Sequence, residues 1–136
     1  MARKSWTEKF NTLKTAEVKR TEKAFADIPA GARMLIATPA IVEEYIRNIP
    51  KGHSTHIRQM RKDLAAMYHA EYTCPVTSGI FIRIVAEKAY EEFLAGKKRI
   101  APFWRILDPD SPAAKKLSFG TSFILQQRIS EGIEIK

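Results

Sequence analysis

Residues 54–96 read STHIRQMRKDLAAMYHAEYTCPVTSGIFIRIVAEKAYEEFLAG. The first half of this stretch predicts a helix, because apolar residues recur at helical spacing behind a Ser54 or Thr55 cap. These apolar residues are Ile57, Met60, Leu64, Met67 and Tyr68. The second half predicts a longer helix that begins at Pro75 and stops at Gly96. The connection between the two helices is short enough to predict a helix-turn-helix pair.

The sequence upstream of this pair predicts a strand and one more helix. Residues 33–37 (RMLIA) have the length and apolarity of a short strand. Thr38 and Pro39 then supply an N-cap and a first helical residue, and the helix predicted from them ends at Pro50. Residues 3–25 have sparse apolar positions among many lysines, which predicts an amphipathic arm or a weak helix.

The sequence downstream of the pair predicts two short strands and a last helix. Residues 100–107 (IAPFWRIL) are strand-like, with Pro102 placing the strand at an edge or bulge. A helix near residues 121–131 is closed by Gly132, and residues 133–135 alternate as a strand does. Helices followed by two short strands predict a mainly α fold with a small β component, of the winged-helix type.

Charge is unevenly distributed along the 136 residues, which carry 23 Lys and Arg against 15 Asp and Glu and a formal charge of +8. The excess lies in residues 1–31 (+3), 51–73 (+2) and 97–107 (+4). We therefore divide the chain into a basic N-terminal arm, residues 1–31, and a domain, residues 32–136. Basic patches suit a polyanion such as nucleic acid, with a solvated surface as the alternative.

Composition excludes several classes of protein. No apolar run is long enough for a membrane span, and the first residues lack the apolar core of a signal peptide. We expect no membrane partner and a cytoplasmic protein, nucleoid-associated if the source is bacterial. The single cysteine, Cys74, has no partner for an internal disulfide and makes a poor zinc set with three histidines, so we expect no metal and no cofactor.

Four blocks of this sequence resemble the C-terminal, DNA-binding domain of the methylated-DNA–protein-cysteine methyltransferases and their alkyltransferase-like relatives. Residues 49–61 (IPKGHSTHIRQMR) lie without a gap on the helix-turn-helix opening I-P-x-G-K/R-V-T/S-T/S-Y-G-Q-I/L-A, and residues 75–80 (PVTSGI) fall on the recognition helix R-A-V-G-x-A. Residues 102–106 (PFWRI) fall on the active-site strand P-C-H-R-V/I, and residues 126–133 (QQRISEGI) on the last helix, K-x-x-L-L-x-x-E-G-V/I. The resemblance covers about residues 33–135 and implies a winged-helix DNA-binding domain.

The chain departs from this family at the reacting groups. In the family a cysteine thiolate takes an alkyl group from O6 of guanine, activated by the adjacent histidine through a water and a distant glutamate. Here Phe103 stands at the cysteine position and Trp104 at the histidine position. Because an aromatic ring is not a nucleophile for this transfer, we expect no enzyme activity. Relatives that lack the cysteine usually carry P-W-H-R-V at this block. The chain has Phe103, Trp104 and Arg105 instead, so it resembles that non-catalytic group in lacking the acceptor but not in the residues that replace it.

Two further departures concern base flipping. Pro75 aligns with the arginine that fills the space of a flipped base, and Ile57 aligns with the tyrosine that helps to rotate the nucleotide. The chain therefore lacks both residues that the family uses to flip a base. The resemblance nevertheless implies a non-catalytic protein that binds duplex DNA, recognises altered guanine bases and assists other repair proteins.

The residues that this resemblance and the charge pattern assign to DNA lie in three segments. They are Ile57, Arg58, Gln59, Arg61 and Lys62 of the first helix; Pro75, Thr77, Ser78 and Gly79 of the recognition helix; and Lys97, Lys98 and Arg99 beyond it. Small residues let the recognition helix approach a groove, and its first N–H groups meet phosphate or sugar. The alternatives are close packing on a neighbouring helix for Ser78 and Gly79, and a solvated surface for the basic side chains.

A pocket is assigned to Phe103, Trp104 and Arg105. Because strand residues alternate between faces, one of the two aromatic residues is expected to face the pocket, where a base would stack on it, while the other fills the core. Core support is the alternative for Arg105. A different function, a protein-interaction adaptor without a role on DNA, would use Trp6 and Phe10 of the arm to dock on a partner.

Overall fold

Helices surround one small sheet in the part of the chain that the computed structural model describes, residues 5–11 and 15–133. The helices are α1 (Trp6–Phe10), α2 (Pro39–Arg47), α3 (Ile57–Met67), α4 (Pro75–Leu94), α5 (Pro112–Lys115) and α6 (Ser122–Glu131). The strands are β1 (Glu17–Arg20), β2 (Arg33–Ile36) and β3 (Tyr72–Thr73), and a 3₁₀ helix, Phe103–Arg105, follows α4. The predicted mainly α fold with a small β component is therefore confirmed at this level.

The sheet joins the N-terminal arm to the rest of the chain. Its order is β1-β2-β3, with β1 antiparallel to β2 and β2 parallel to β3. Leu35, which is fully buried, lies opposite both Val18 of β1 and Thr73 of β3. The strand predicted near residue 33 is confirmed. The prediction of an arm or weak helix for residues 3–25 is wrong at Glu17–Arg20, which form β1. These residues are extended because they form hydrogen bonds with β2.

Helix α2 begins as predicted. The Thr38 hydroxyl accepts a hydrogen bond from the N–H of Ile41 at 3.2 Å, and Pro39 occupies the first helical turn. The helix ends at Arg47, three residues before the predicted limit at Pro50. Its buried residues Val42 and Ile46 face the core, where α2 packs on α4.

Helix α3 begins later than predicted. The cap is His56, whose Nδ1 accepts a hydrogen bond from the N–H of Gln59 at 3.2 Å, and not Ser54 or Thr55. Histidine was not predicted as the cap because Ser, Thr, Asp and Asn are the preferred N-caps, but the imidazole Nδ1 of His56 supplies the same kind of acceptor. The N–H of Thr55 donates to the carbonyl of Arg105 at 2.8 Å, which ties the turn before α3 to the 3₁₀ helix.

Helix α4 is the central element of the fold. It runs from Pro75 as predicted, and Gly96, at φ 93°, follows its end. Its twenty residues span about 30 Å, since an α-helix rises 1.5 Å per residue. The connection from α3 is short, and it contains β3, whose pairing with β2 fixes where α4 starts. Helices α1, α2 and α3 all contact α4.

The strand predicted for residues 100–107 is wrong. This segment contains the 3₁₀ helix, and both Phe103 (0 % exposed) and Trp104 (7 % exposed) are buried. A strand would turn one of two successive side chains outward, whereas a helical turn buries both together. Ile133 lies outside any strand, and residues 134 and 135 of the second predicted strand lie outside the described residues. No strand follows α4 within the described ranges.

The last helix is confirmed. Helix α6 runs from Ser122 to Glu131, and Gly132 ends it in the left-handed conformation at φ 74°. Across residues 5–11 and 15–133, no helix combines the length and apolarity that a bilayer crossing requires.

Candidate nucleic-acid interface

The start of α3 is held by a hydrogen-bond network centred on Glu131. Its carboxylate accepts two bonds from Arg105, each 2.9 Å, one from the indole N–H of Trp104 at 2.9 Å, and one from the N–H of Gly52 at 3.1 Å. Arg105 also donates to the carbonyl of Ile49 at 2.7 Å. The network thus ties α6 and the 3₁₀ helix to the turn that leads into α3.

The charge of Glu131 is stabilised by this network. Burial raises the pKa of the carboxyl, but the hydrogen bonds from Arg105, Gly52 and Trp104, together with the positive charge of Arg105, outweigh it and lower the pKa to about 2. The ion pair is largely enclosed, with 6 % of the Glu131 side chain and 14 % of the Arg105 side chain exposed. All of these contacts of Arg105 are with residues of the chain itself, as expected for a residue that supports the core.

The first residues of α3 form one wall of an open groove of about 650 Å³. The other wall is the loop that follows the 3₁₀ helix, including Asp108, Asp110 and Ser111. Ile57 and Arg58 line this groove, and so does Arg128, which is 4 % exposed and donates to the carbonyl of Leu107 at 3.3 Å. We call this the α3 groove. Of the residues that the sequence assigned to DNA, Ile57 and Arg58 therefore line the α3 groove.

Phe103 and Trp104 do not form the floor of an open pocket, which corrects the pocket assignment. Phe103 packs among aromatic rings, with centroid distances of 5.5 Å to Trp104, 5.7 Å to Phe119 and 5.6 Å to Phe123. Tyr90 joins the same cluster by stacking on Phe119 at 4.0 Å. Because these rings fill the core, neither Phe103 nor Trp104 presents a face on which a base can stack.

Ser78 and Gly79 on the first turns of α4 have opposite environments. Ser78 is 1 % exposed, and its hydroxyl donates to the carbonyl of Cys74 at 2.7 Å. At Gly79, an added Cβ would meet no atom within 4 Å. Its neighbours on the outer surface, Val76 and Ile80, are 55 % and 51 % exposed. Close packing thus explains Ser78 but not Gly79. We call Val76, Gly79 and Ile80 the α4 face.

Two other assigned residues lie at the start of α4. Pro75 is the first residue of the helix and is half-buried. The hydroxyl oxygen of Thr77 is buried and has no hydrogen-bond partner among the described residues. Sequence reasoning missed Val76 and Ile80 as surface residues, because an apolar side chain at helical spacing predicts the core.

The basic residues of α3 divide into structural and exposed groups. Arg61 donates to the carbonyl of Thr73 and pairs with Asp27, both at 3.0 Å, so its guanidinium fastens β3 to the loop after β1. Arg58 and Lys62 are exposed and form no ion pair among the described residues. Gln59 donates its side-chain amide to Asp63 at 2.9 Å. Arg58 and Lys62 are thus the α3 cations that face solvent.

Lys97, Lys98 and Arg99 are exposed but lie away from the residues above. They follow the C-terminal end of α4, about 30 Å along the helix from Pro75. Lys97 also pairs with Glu92 at 3.0 Å. The structure therefore does not bring this patch to the α4 face or the α3 groove.

The aromatic residues of the arm lie against the chain itself. Trp6 and Phe10 are half-buried on the core, and the N–H of Trp6 donates to Glu91 of α4 at 3.3 Å. Lys88 of α4 sits 4.5 Å from the ring centroid of Phe10. Both side chains are thus occupied in the free protein.

Compared with known proteins, the chain matches no family model, no curated protein and no solved structure. Within the described ranges, no group of three or more His, Cys, Asp or Glu residues is placed to hold a metal ion. The α4 face, the α3 groove and the sequence resemblance are therefore the features that bear on function.

Proposed function

We propose that this chain is a non-catalytic DNA-binding protein of the alkyltransferase-like type. In this proposal α3 and α4 act as the helix-turn-helix pair of a winged-helix-type domain. The α4 face enters a groove of duplex DNA, and Arg58 and Lys62 contact phosphates. The strand expected for the wing at residues 100–107 is not formed, so the helix pair carries the proposal.

Gly79 is the observation on which the proposal depends. A glycine in a helix costs about 1 kcal/mol relative to alanine, and the space around Gly79 would admit an alanine methyl group. The fold thus gains nothing from glycine at this position. A bare backbone flanked by the exposed apolar side chains of Val76 and Ile80 suits close approach to a sugar-phosphate edge or a base step in the minor groove.

The resemblance gains support from Trp104 and Glu131. Trp104 stands at the histidine position, and Glu131 lies in the E-G block of the last helix. Their 2.9 Å hydrogen bond joins the position of the activating histidine to a carboxylate, as the distant glutamate of the family implies. Phe103, at the acceptor position, is fully buried and is no nucleophile, so the proposed protein transfers no alkyl group.

Recognition of an altered guanine is assigned in this proposal to the α3 groove. Its volume of about 650 Å³ lies in the range of small-ligand sites, and along its walls Arg58 offers donors and the carboxylate of Asp108 offers acceptors. A guanine that carries an O6-alkyl group costs less free energy to unstack than an undamaged base does. This smaller cost partly compensates for the absent arginine and tyrosine.

The test is a titration of duplexes with and without O6-alkylguanine at about 50 and 200 mM salt. We expect affinity for both duplexes to fall steeply as salt rises, with the altered duplex bound more tightly. Gly79→Leu should weaken duplex binding at least tenfold while leaving the melting temperature close to that of the wild type, because an added Cβ at this position meets no neighbouring atom within 4 Å.

Ala95→Leu, which places the same leucine side chain at the exposed C-terminal end of α4, is the control and should bind as the wild type does. Absence of duplex binding at low salt would overturn the DNA proposal. If Gly79→Leu binds duplex as tightly as the wild type, the α4 face is not the DNA-binding surface. If the two duplexes bind equally, the protein does not recognise the altered base.

A further inference from the structure

A second groove, of about 680 Å³, lies between α2 and α3. Its walls are mainly apolar and include Ile41, Ile49, Leu64 and Met67. Ser54 and Thr55 border both this groove and the α3 groove, so the turn before α3 separates the two. We call it the α2–α3 groove, and the function proposed above makes no use of it.

One polar corner interrupts the apolar wall. Tyr45 donates its hydroxyl to one oxygen of Asp63 at 2.5 Å, and Gln59 donates its amide to the other oxygen at 2.9 Å. A carboxylate has about four acceptor positions, so each oxygen of Asp63 can accept a further hydrogen bond. Burial raises the pKa of Tyr45 to about 12, and the hydrogen bond to Asp63 adds to that shift, so the phenol remains a donor at neutral pH.

The charge of this groove is opposite to that of the whole chain. Its lining includes the carboxylates of Glu44 and Asp63 and no lysine or arginine, in a protein whose formal charge is +8. At the mouth, Met67 is 64 % exposed and Tyr68 is 38 % exposed. A flexible thioether and an aromatic ring adapt well to an apolar guest and, for the ring, to a nearby cation.

We propose that the α2–α3 groove binds a small organic cation, an ammonium group on an aromatic or aliphatic body. The ammonium donates to Asp63, with Glu44 adding negative potential, and the apolar body lies against Ile41, Met67 and Tyr68. The volume lies within the 300–1,000 Å³ typical of small-molecule sites. The concentration of polar acceptors in one corner fits a ligand with a single charged end. A protein segment would instead need acceptors spaced along a longer surface.

The experiment is an NMR titration of the full chain with 2-phenylethylammonium, following the Met67 methyl group and the Tyr45 and Tyr68 rings. Two probes with a similar body, 3-phenylpropionate and 2-phenylethanol, separate charge from hydrophobicity. We expect saturable shifts with a dissociation constant of about 1 mM or lower for the amine, which small ligands of this size can reach. The carboxylate should bind at least tenfold more weakly.

Asp63→Asn should weaken amine binding about tenfold, because the charge is lost while an amide oxygen still accepts from Tyr45. Asp110→Asn, which removes a carboxylate that lines the α3 groove instead, is the matched control and should bind the amine normally. If Asp63→Asn does not fold, Met67→Lys supplies the same information from an exposed position: the added positive charge should weaken binding of the amine more than binding of the alcohol, which loses only an apolar contact.

Absence of saturable shifts at about 10 mM amine would overturn the proposal, as that concentration exceeds the expected dissociation constant. Equal affinity for the amine and the carboxylate, or unchanged amine binding by the two variants, would also overturn it. Since no DNA is present in the titration, its outcome is independent of the function proposed above.

Discussion

Glu131 joins segments that are far apart in the sequence, and its neighbours determine how its charge affects stability. Because its pKa in the folded protein is about 2, below the ordinary value of 4.5, the charged form stabilises the fold above the ordinary pKa. That contribution is lost as pH falls towards the folded pKa. The side chain thus makes acid stability depend on one buried ion pair.

Glu131→Gln should lower the free energy of unfolding at neutral pH by about 3 kcal/mol, since it leaves the enclosed Arg105 cation without its partner. Urea unfolding between about pH 7 and pH 3 measures this loss. The wild type should lose more stability than the variant on that descent. Glu22→Gln, at an exposed carboxylate, is the control. If the variant loses as much free energy of unfolding as the wild type over this pH range, the prediction is contradicted.

At the scale of elements, the beginning of α3 depends on a histidine cap. His56→Ala removes the acceptor for the Gln59 N–H and should cost about 1 kcal/mol of unfolding free energy. His56→Asn should restore most of this loss, because asparagine is among the best N-caps. Thermal unfolding of the three proteins is the measurement. If alanine and asparagine behave alike, the cap contributes nothing measurable.

The packing of α1 on α4 is a second element-scale contact, and it distinguishes structure from partner docking. Trp6→Ala should destabilise the free chain by about 1–2 kcal/mol, less than for a fully buried tryptophan, because Trp6 is half-buried. Denaturant unfolding of the isolated protein measures this. Lys19→Ala, on exposed β1, is the control. An unchanged stability of Trp6→Ala would favour an arm that is free to dock on a partner.

At the scale of the whole molecule, the +8 charge acts through its placement. Arg58→Ala with Lys62→Ala should reduce the slope of log affinity for duplex against log salt by about 2, roughly one for each lost phosphate contact. Replacing Lys97, Lys98 and Arg99 by alanine removes more charge. These residues lie about 30 Å along α4 from its first residue, Pro75, so this triple variant should reduce the salt slope less. A larger effect of the second variant would place the DNA at the C-terminal end of α4.

Local sequence signals predicted the helices well and the strands poorly. Thr38, Pro39, Pro75 and Gly132 act within one turn of their own positions, so they predicted helix ends correctly. The strand β1 was missed because its hydrogen bonds come from β2, more than ten residues away. In the candidate site, the sequence assigned Arg58 and Gly79 to DNA, which stays a prediction, whereas the exposure of Val76 and Ile80 was not predicted.

Sequence alone determined the mainly helical class, the helix pair α3 and α4 and the absence of a cysteine at the position of Phe103, since these depend on residue identity and short-range periodicity. Only the tertiary structure decided that Phe103 and Trp104 are core rather than pocket and that Arg61 is structural. It also decided that Lys97 lies far from the α4 face. Those properties depend on which distant segments exclude water from a side chain, and no local pattern encodes that.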